Sequence, residues 1–269
     1  MRLKTAMNNI DQQLEKIKKK NRIGLMTHVV VGYPSLEETV ALVKAMVENG
    51  ADFVELQIPF SDPLADGPTI MRACEESLAH GTKVKDAFHV MKTLASQVPI
   101  PLLFMAYYNT IFRYGVENFC RDAKIAGASG LIVPDMPIDE EQFEHFYAFA
   151  KKFALYPISV ISPASTAERL KKIALNANGF VYFTARQGTT GAKKELDPTL
   201  RTNLQKVKKF FSIPVAVGFG ISRKEHVQAL RGAADIAVVG SALIDVVNKT
   251  EKKKRADTVK QFIKGLSIE

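Results

Sequence analysis

The feature that most limits the fold is an alternation repeated eight times: a short β-branched, apolar segment, then a stretch with helical spacing. The strand segments are predicted at 25–31, 53–58, 101–106, 130–133, 156–161, 180–184, 213–217 and 235–239. Most are apolar on both faces, which suits parallel strands covered by helices rather than a half-solvated sheet. Eight such units in 269 residues match a (β/α)₈ barrel, which typically takes about 250. An open, doubly wound sheet is the competitor, but no Gly-x-Gly-x-x-Gly follows an early strand. No linker, low-complexity segment or composition shift divides the chain, so 1–269 is expected to be a single barrel domain.

The helical stretches are predicted at 69–80, 82–97, 116–126, 139–153, 166–176, 197–211, 222–230 and 242–247, the last a short helix after strand eight. Ser35-Leu36-Glu37-Glu38 is a capping-box start for one more. Outside the alternation, Ile10, Leu14 and Ile17 define an extra N-terminal helix over 8–20. A final helix over 255–264 is expected to stop at Gly265.

A hydrophobic share of 46% with two cysteines points to an ordinary soluble protein of a reducing, cytoplasmic compartment. No apolar run reaches the roughly 20 residues of a membrane span, and Met1 to Arg22 lacks the apolar core of a signal peptide. The net charge of +9 is spread over helix faces without interleaved aromatics, so no nucleic-acid or membrane partner is expected. Cys74 and Cys120 fall in helical stretches and are read as packing residues. His80, His89, His145 and His226 lie on or beside helices and are expected to be exposed, and nothing in the sequence has metal-ligand spacing.

Phe53 to Pro68 carries the chemistry. Alternation puts Val54, Leu56 and Ile58 on one face and Phe53, Glu55 and Gln57 on the other. If the first face packs under helices, Glu55 looks into the enclosed centre of the barrel, where a carboxylate is costly unless it has work to do. The loop after this strand brings a second carboxylate, Asp66. Active sites of such barrels lie at the C-terminal strand ends, and phosphate often binds after strands seven and eight. Val217-Gly218-Phe219-Gly220-Ile221-Ser222 and Val239-Gly240-Ser241 supply glycine turns in those two places. The polar, glycine-rich loop Arg186-Gln187-Gly188-Thr189-Thr190-Gly191-Ala192 after strand six reads as a lid. Two carboxylates, a phosphate clamp and a lid suggest acid–base chemistry on a small phosphorylated substrate.

The run from Glu55 to Pro68 resembles the signature of the tryptophan synthase α subunit family, and the likeness spans nearly the whole chain. It extends to Tyr107-Tyr108-Asn109, Phe112-Arg113-Tyr114-Gly115, Leu131-Ile132-Val133-Pro134-Asp135, Arg186 to Gly191, Gly218 to Ser222 and Val239 to Ala242. The resemblance implies a lyase of tryptophan biosynthesis: cofactor-free retro-aldol cleavage of indole-3-glycerol phosphate to indole and glyceraldehyde 3-phosphate. It implies that Glu55 protonates the indole ring carbon and then accepts the hydroxyl proton, and that Asp66 holds the indole N–H. An enclosed strand carboxylate can have a raised pKa while a loop carboxylate stays ionised, which fits that division. Phosphate is implied at Gly191, Gly220, Gly240 and Ser241, and an indole pocket at Tyr107, Tyr182 and Phe219. Thr190 is implied to steady Asp66. A β subunit carrying pyridoxal phosphate is implied in an αββα complex, meeting Asp62, Pro63 and Asn109.

The chain departs from that family's pattern in places. Gln57 stands where glycine is usual and is expected to contact Glu55 or narrow the pocket. His28 takes the place of an indole-packing Phe and is read as a packing or pocket-lining residue, and Tyr33 replaces an aspartate. Gln187 and Thr189 replace a small residue and a valine in the lid. These changes leave a second reading, a weakly active subunit that chiefly activates a β partner. A third, a sugar-phosphate isomerase, keeps Gly220 and Gly240 but gives no reason for the Glu55 to Pro68 run.

Overall fold

A computed structural model of the chain describes residues 7–184, 199–218 and 220–267. Its strands are β1 (Gly24–Val30), β2 (Phe53–Gln57), β3 (Leu102–Met105), β4 (Gly130–Ile132), β5 (Tyr156–Ile158), β6 (Val160–Ile161), β7 (Val181–Thr184), β8 (Val215–Gly218) and β9 (Ile236–Val239). They form one sheet in the order β5-β4-β3-β2-β1-β9-β8-β7-β6, and every pairing is parallel. Nine strands replace the eight expected because β5 and β6 are halves of one predicted strand, separated by Ser159. The first half pairs with β4 and the second with β7, so this strand hands over from one neighbour to the other and the ends of the sheet meet. The result is the expected barrel.

Alternation along the strands sorts the core into two compartments. Leu25, Val29, Val54, Leu56, Phe104 and Val217 pack outward beneath the helices, whereas Met26, Phe53, Leu103, Phe180, Ala216 and Ile236 fill the interior. Cys74 and Cys120 are buried packing residues, and burial pushes both thiols up to about 12. The helix Asn9–Lys19 closes the N-terminal end of the barrel. Its Ile10 and Ile17 join the interior cluster and press on glycines: a Cβ on Gly24 would lie 2.7 Å from Ile17 Cδ1, and one on Gly130 3.1 Å from Ile10 Cδ1. Asp52 ties this end together. Its carboxylate accepts from Arg22 Nη1 and Nη2 (both 2.6 Å), Gln13 Nε2 (2.8 Å) and the backbone N–H of Leu25 (2.9 Å).

Three elements differ from the sequence reading. The helix expected over 139–153 is broken into Ile138–Glu140, Glu141–Glu144 and Phe146–Lys152. His145 takes φ 53°, and the Glu141 carboxylate accepts from the N–H groups of Tyr147 and Ala148 (2.7 and 2.8 Å), capping a fresh helix start. A helix over Tyr108–Tyr114 was not foreseen. The final helix, Arg255–Leu266, runs through Gly265 instead of stopping there, because Leu266 is drawn into the core at 2% exposure.

Candidate active site

At the C-terminal ends of the strands the interior opens into a cavity. It is lined by His28, Glu55, Asp66, Ile132 and Tyr182 together with Gly218, Gly220, Gly240, Ser241 and Ala242. Phe53, Glu55 and Gln57 do project inward from β2 as alternation requires, with Phe53 in the floor and the two polar residues stacked above it. Register sets His28 of β1 directly across from Glu55. The imidazole Nδ1 lies 2.9 Å from Glu55 Oε1, with both residues buried.

Asp66 arrives on the loop after β2 and is 5% exposed. Its Oδ2 accepts from the Gln57 amide (2.7 Å) and from the Tyr107 hydroxyl (2.9 Å). That hydroxyl itself accepts from the backbone N–H of Ala65 (2.9 Å). Gln57 therefore serves Asp66 instead of the expected Glu55. Alternation correctly put it on the same side as Glu55, but two residues along a strand is one layer nearer the mouth, where the loop folds back. Tyr107 stands behind Asp66, stacked on Phe60 with ring centroids 5.2 Å apart; it is not among the cavity-lining residues. Tyr182 does line the cavity, its ring over Gly218, where a Cβ would meet the hydroxyl at 2.6 Å.

Among the described residues, the buried side-chain atoms lacking a hydrogen-bond partner are Thr27 Oγ1, His28 Nε2, Glu55 Oε2 and Gln57 Oε1. The last three belong to inward-facing residues of neighbouring strands. Buried polar atoms are nearly always satisfied, so atoms without a partner here single this spot out as a candidate ligand site. Electrostatics are perturbed at the same spot. Burial raises the Asp66 carboxyl above the usual aspartate range, against the opposing influence of His28, Gln57 and Tyr107. Burial thus works against the ionised state that the sequence reading expected of this loop carboxylate. Burial opposes charging of His28, but the Glu55 charge and hydrogen bond outweigh it, aided by Asp66, and the imidazole's pKa rises. Burial, with the Glu55 and Asp66 charges, holds the Tyr182 phenol neutral.

Part of the cavity lining is backbone. Gly220 takes φ 51°, a left-handed conformation that suits glycine, and Gly240 precedes the helix Ser241–Lys249, whose first N–H groups border the cavity. A helix N-terminus with its positive dipole end favours an anion. Thr190, Gly191 and Phe219 lie outside the described residues, as does the loop 186–192.

Of the residues at the expected partner surface, Asp62 and Asn109 are exposed and Pro63 is buried. Tyr33 is not among the cavity-lining residues; its hydroxyl donates to Asn248 Oδ1 (2.5 Å). His80, His89 and His145 are exposed, but His226 is buried, its Nε2 accepting from Arg223 Nε at 2.9 Å. The pairing of His28 with Glu55 escaped sequence reading. The signal was a polar residue in an otherwise apolar first strand, and only the register between β1 and β2 turns it into a contact. Among the described residues no cluster of His, Cys, Asp or Glu is arranged to hold a metal, and no helix is long and apolar enough to cross a membrane.

Comparison with known proteins agrees with this arrangement. A family model described as tryptophan synthase alpha chain matches residues 14–267. The tryptophan synthase alpha chain of Desulfotalea psychrophila is 46% identical, with 91% of this chain and 95% of that one covered. The crystal structure of the tryptophan synthase alpha chain from Legionella pneumophila superposes with a TM-score of 0.87 at 32% identity, covering 97% of this chain and 96% of that one. A chain of the tryptophan synthase complex from Pyrococcus furiosus gives a TM-score of 0.83 at 33% identity, over 90% and 97% of the two chains. This barrel, with Glu55 and Asp66 at its cavity and matched over nearly its whole length by these relatives, belongs to the tryptophan synthase alpha chain family.

Proposed function

We propose that Glu55 and Asp66 carry the lyase reaction of this family, retro-aldol cleavage of indole-3-glycerol phosphate in tryptophan biosynthesis. The observation behind this reading is a cavity whose lining combines glycine turns and a helix N-terminus with two buried carboxylates set in apolar walls. Phosphate at Gly220, Gly240 and Ser241, with Gly191, directs the glycerol chain toward Glu55 and the indole toward Ile132, Val160 and Tyr182.

Glu55 gives a proton to the indole carbon that bears the side chain. Asp66 accepts a hydrogen bond from the ring N–H and offsets the positive charge that this nitrogen acquires. The Glu55 carboxylate then takes the proton of the adjacent side-chain hydroxyl. The carbon–oxygen bond becomes a carbonyl, the carbon–carbon bond breaks, and its electron pair returns to the ring. Indole and glyceraldehyde 3-phosphate leave with Glu55 protonated as at the start. Glu55→Gln and Asp66→Asn are each expected to lower indole release by roughly a hundredfold or more, while glycerol phosphate still binds. Near-normal turnover in either variant would overturn these roles.

The reading extends to a cytoplasmic α₂β₂ complex in which pyridoxal phosphate belongs to the β chain and none to this one. Its support is the surface at the cavity mouth, where Leu64 is 87% and Phe112 58% exposed on segments following the neighbouring strands β2 and β3, beside Asp62, Pro63 and Asn109. The second reading, a weakly active subunit that activates a β partner, draws on His28 and Gln57, whose polar side chains occupy the interior. Indole-3-glycerol phosphate cleavage by the chain alone and mixed with a β chain separates the two.

A further inference from the structure

The proposed mechanism asks one carboxyl group to give a proton and then take another, and it leaves open which oxygen does so. The geometry answers this. Glu55 lines the cavity; its Oε1 is engaged at 2.9 Å by His28 Nδ1, while its Oε2 is buried and has no hydrogen-bond partner. We propose that His28 is the positioning residue of Glu55, its Nδ1–H occupying Oε1 so that Oε2 alone exchanges the proton with the substrate. This rests on the reading of Glu55 as the proton-exchanging group.

A single N–H on Nδ1 serves both states of the carboxyl. When Glu55 is ionised, Oε1 is half of a carboxylate and accepts. When Glu55 carries its proton on Oε2, Oε1 is a carbonyl oxygen and still accepts. The bond therefore persists through the cycle, and the proton cannot migrate to the oxygen facing away from the substrate. An unpaired carboxylic acid has no such preference and can rotate. Holding the reacting oxygen within a fraction of an ångström is the kind of positioning on which rate depends steeply.

The imidazole is itself held on both sides. It faces Glu55 across the β1–β2 pairing, and a methyl group on Gly240 would sit 3.6 Å from its Cβ. Among the described residues, the titratable groups around the pair are the Asp66 carboxyl, the Tyr182 phenol on the cavity wall, and the Tyr107 phenol behind Asp66. Among the described residues no lysine or arginine lines the cavity. The Glu55 charge and hydrogen bond raise the His28 pKa above the ordinary histidine value of 6.5, and the pH profile of the reaction is expected to carry that ionisation.

The test compares kcat for indole release across pH in wild type, His28→Phe and His28→Asn, with Glu55→Gln alongside. His28→Phe removes the donor and is expected to lower kcat roughly tenfold or more. His28→Asn keeps a side-chain N–H but cannot titrate. It is expected to recover part of that loss while lacking the ionisation above 6.5. Should His28→Phe fail to fold, the pH profile of His28→Asn decides alone. Wild-type kcat and pH profile in His28→Phe or His28→Asn would overturn the proposal. So would equal losses in both with the profile unchanged, the mark of a residue that merely packs. An active Glu55→Gln would instead sink the role of Glu55, a failure distinct from either.

Discussion

Asp66 owes its position to two donors that converge on a single oxygen, Gln57 from the barrel wall and Tyr107 from behind. Both favour the charged carboxylate and work against the burial that raises its pKa. Gln57→Gly removes one donor, so the Asp66 pKa should climb further. The acidic limb of kcat/KM should then move to higher pH, with turnover near neutrality falling roughly tenfold, the weight of one hydrogen bond to a charged group. An unmoved limb would show that Gln57 does not support Asp66. The same raised pKa has a consequence for stability. A carboxyl that binds its proton more tightly folded than unfolded makes stability fall as pH rises from the ordinary value of 3.8 through the folded-state value. Asp66→Asn abolishes that slope. Its melting temperature relative to wild type should increase across this interval and then level off, and a pH-independent difference would refute the account.

At the level of elements, the clamp at Asp52 joins the N-terminal helix, β1 and the start of β2 in one hydrogen-bonded group. Asp52→Ala strands the Arg22 guanidinium and the Leu25 N–H, and should cost about 3 kcal/mol of unfolding free energy in urea titration. A loss below about 1 kcal/mol would mean that the pair is no more than a surface ion pair. The strands were legible because apolar, β-branched runs bounded by turns leave few alternatives, and Glu55 stood out because charge inside such a run is expensive. What escaped were features that depend on partners distant in the chain. The handover at Ser159 follows from closing a barrel, to which the continuous run 156–161 gives no clue. The break at His145 depends on the Glu141 carboxylate reaching forward to two N–H groups, whereas helical periodicity simply runs through it. Gly265 reads as a stop only until Leu266 is seen to bury. His28, likewise, acquires a role from a neighbouring strand rather than from its own.

On the scale of the whole molecule, the N-terminal end of the barrel is given to packing, and the C-terminal end holds the cavity proposed for chemistry and the surface proposed for docking. If the exposed apolar residues at the mouth meet a β chain, Leu64→Asp together with Phe112→Asp should weaken α–β association by tenfold or more in analytical ultracentrifugation. Indole-3-glycerol phosphate cleavage by the chain alone should remain intact. Undiminished association would move the interface elsewhere. The plug formed by Ile10 and Ile17 on Gly24 and Gly130 has a further consequence for traffic. Among the described residues the far end is stoppered, so under the proposed reaction both products would leave by the same neck through which the substrate came in. A partner that docks over that neck before release becomes the gatekeeper of departure, and whichever fragment it admits is delivered to it without ever mixing with the surrounding water.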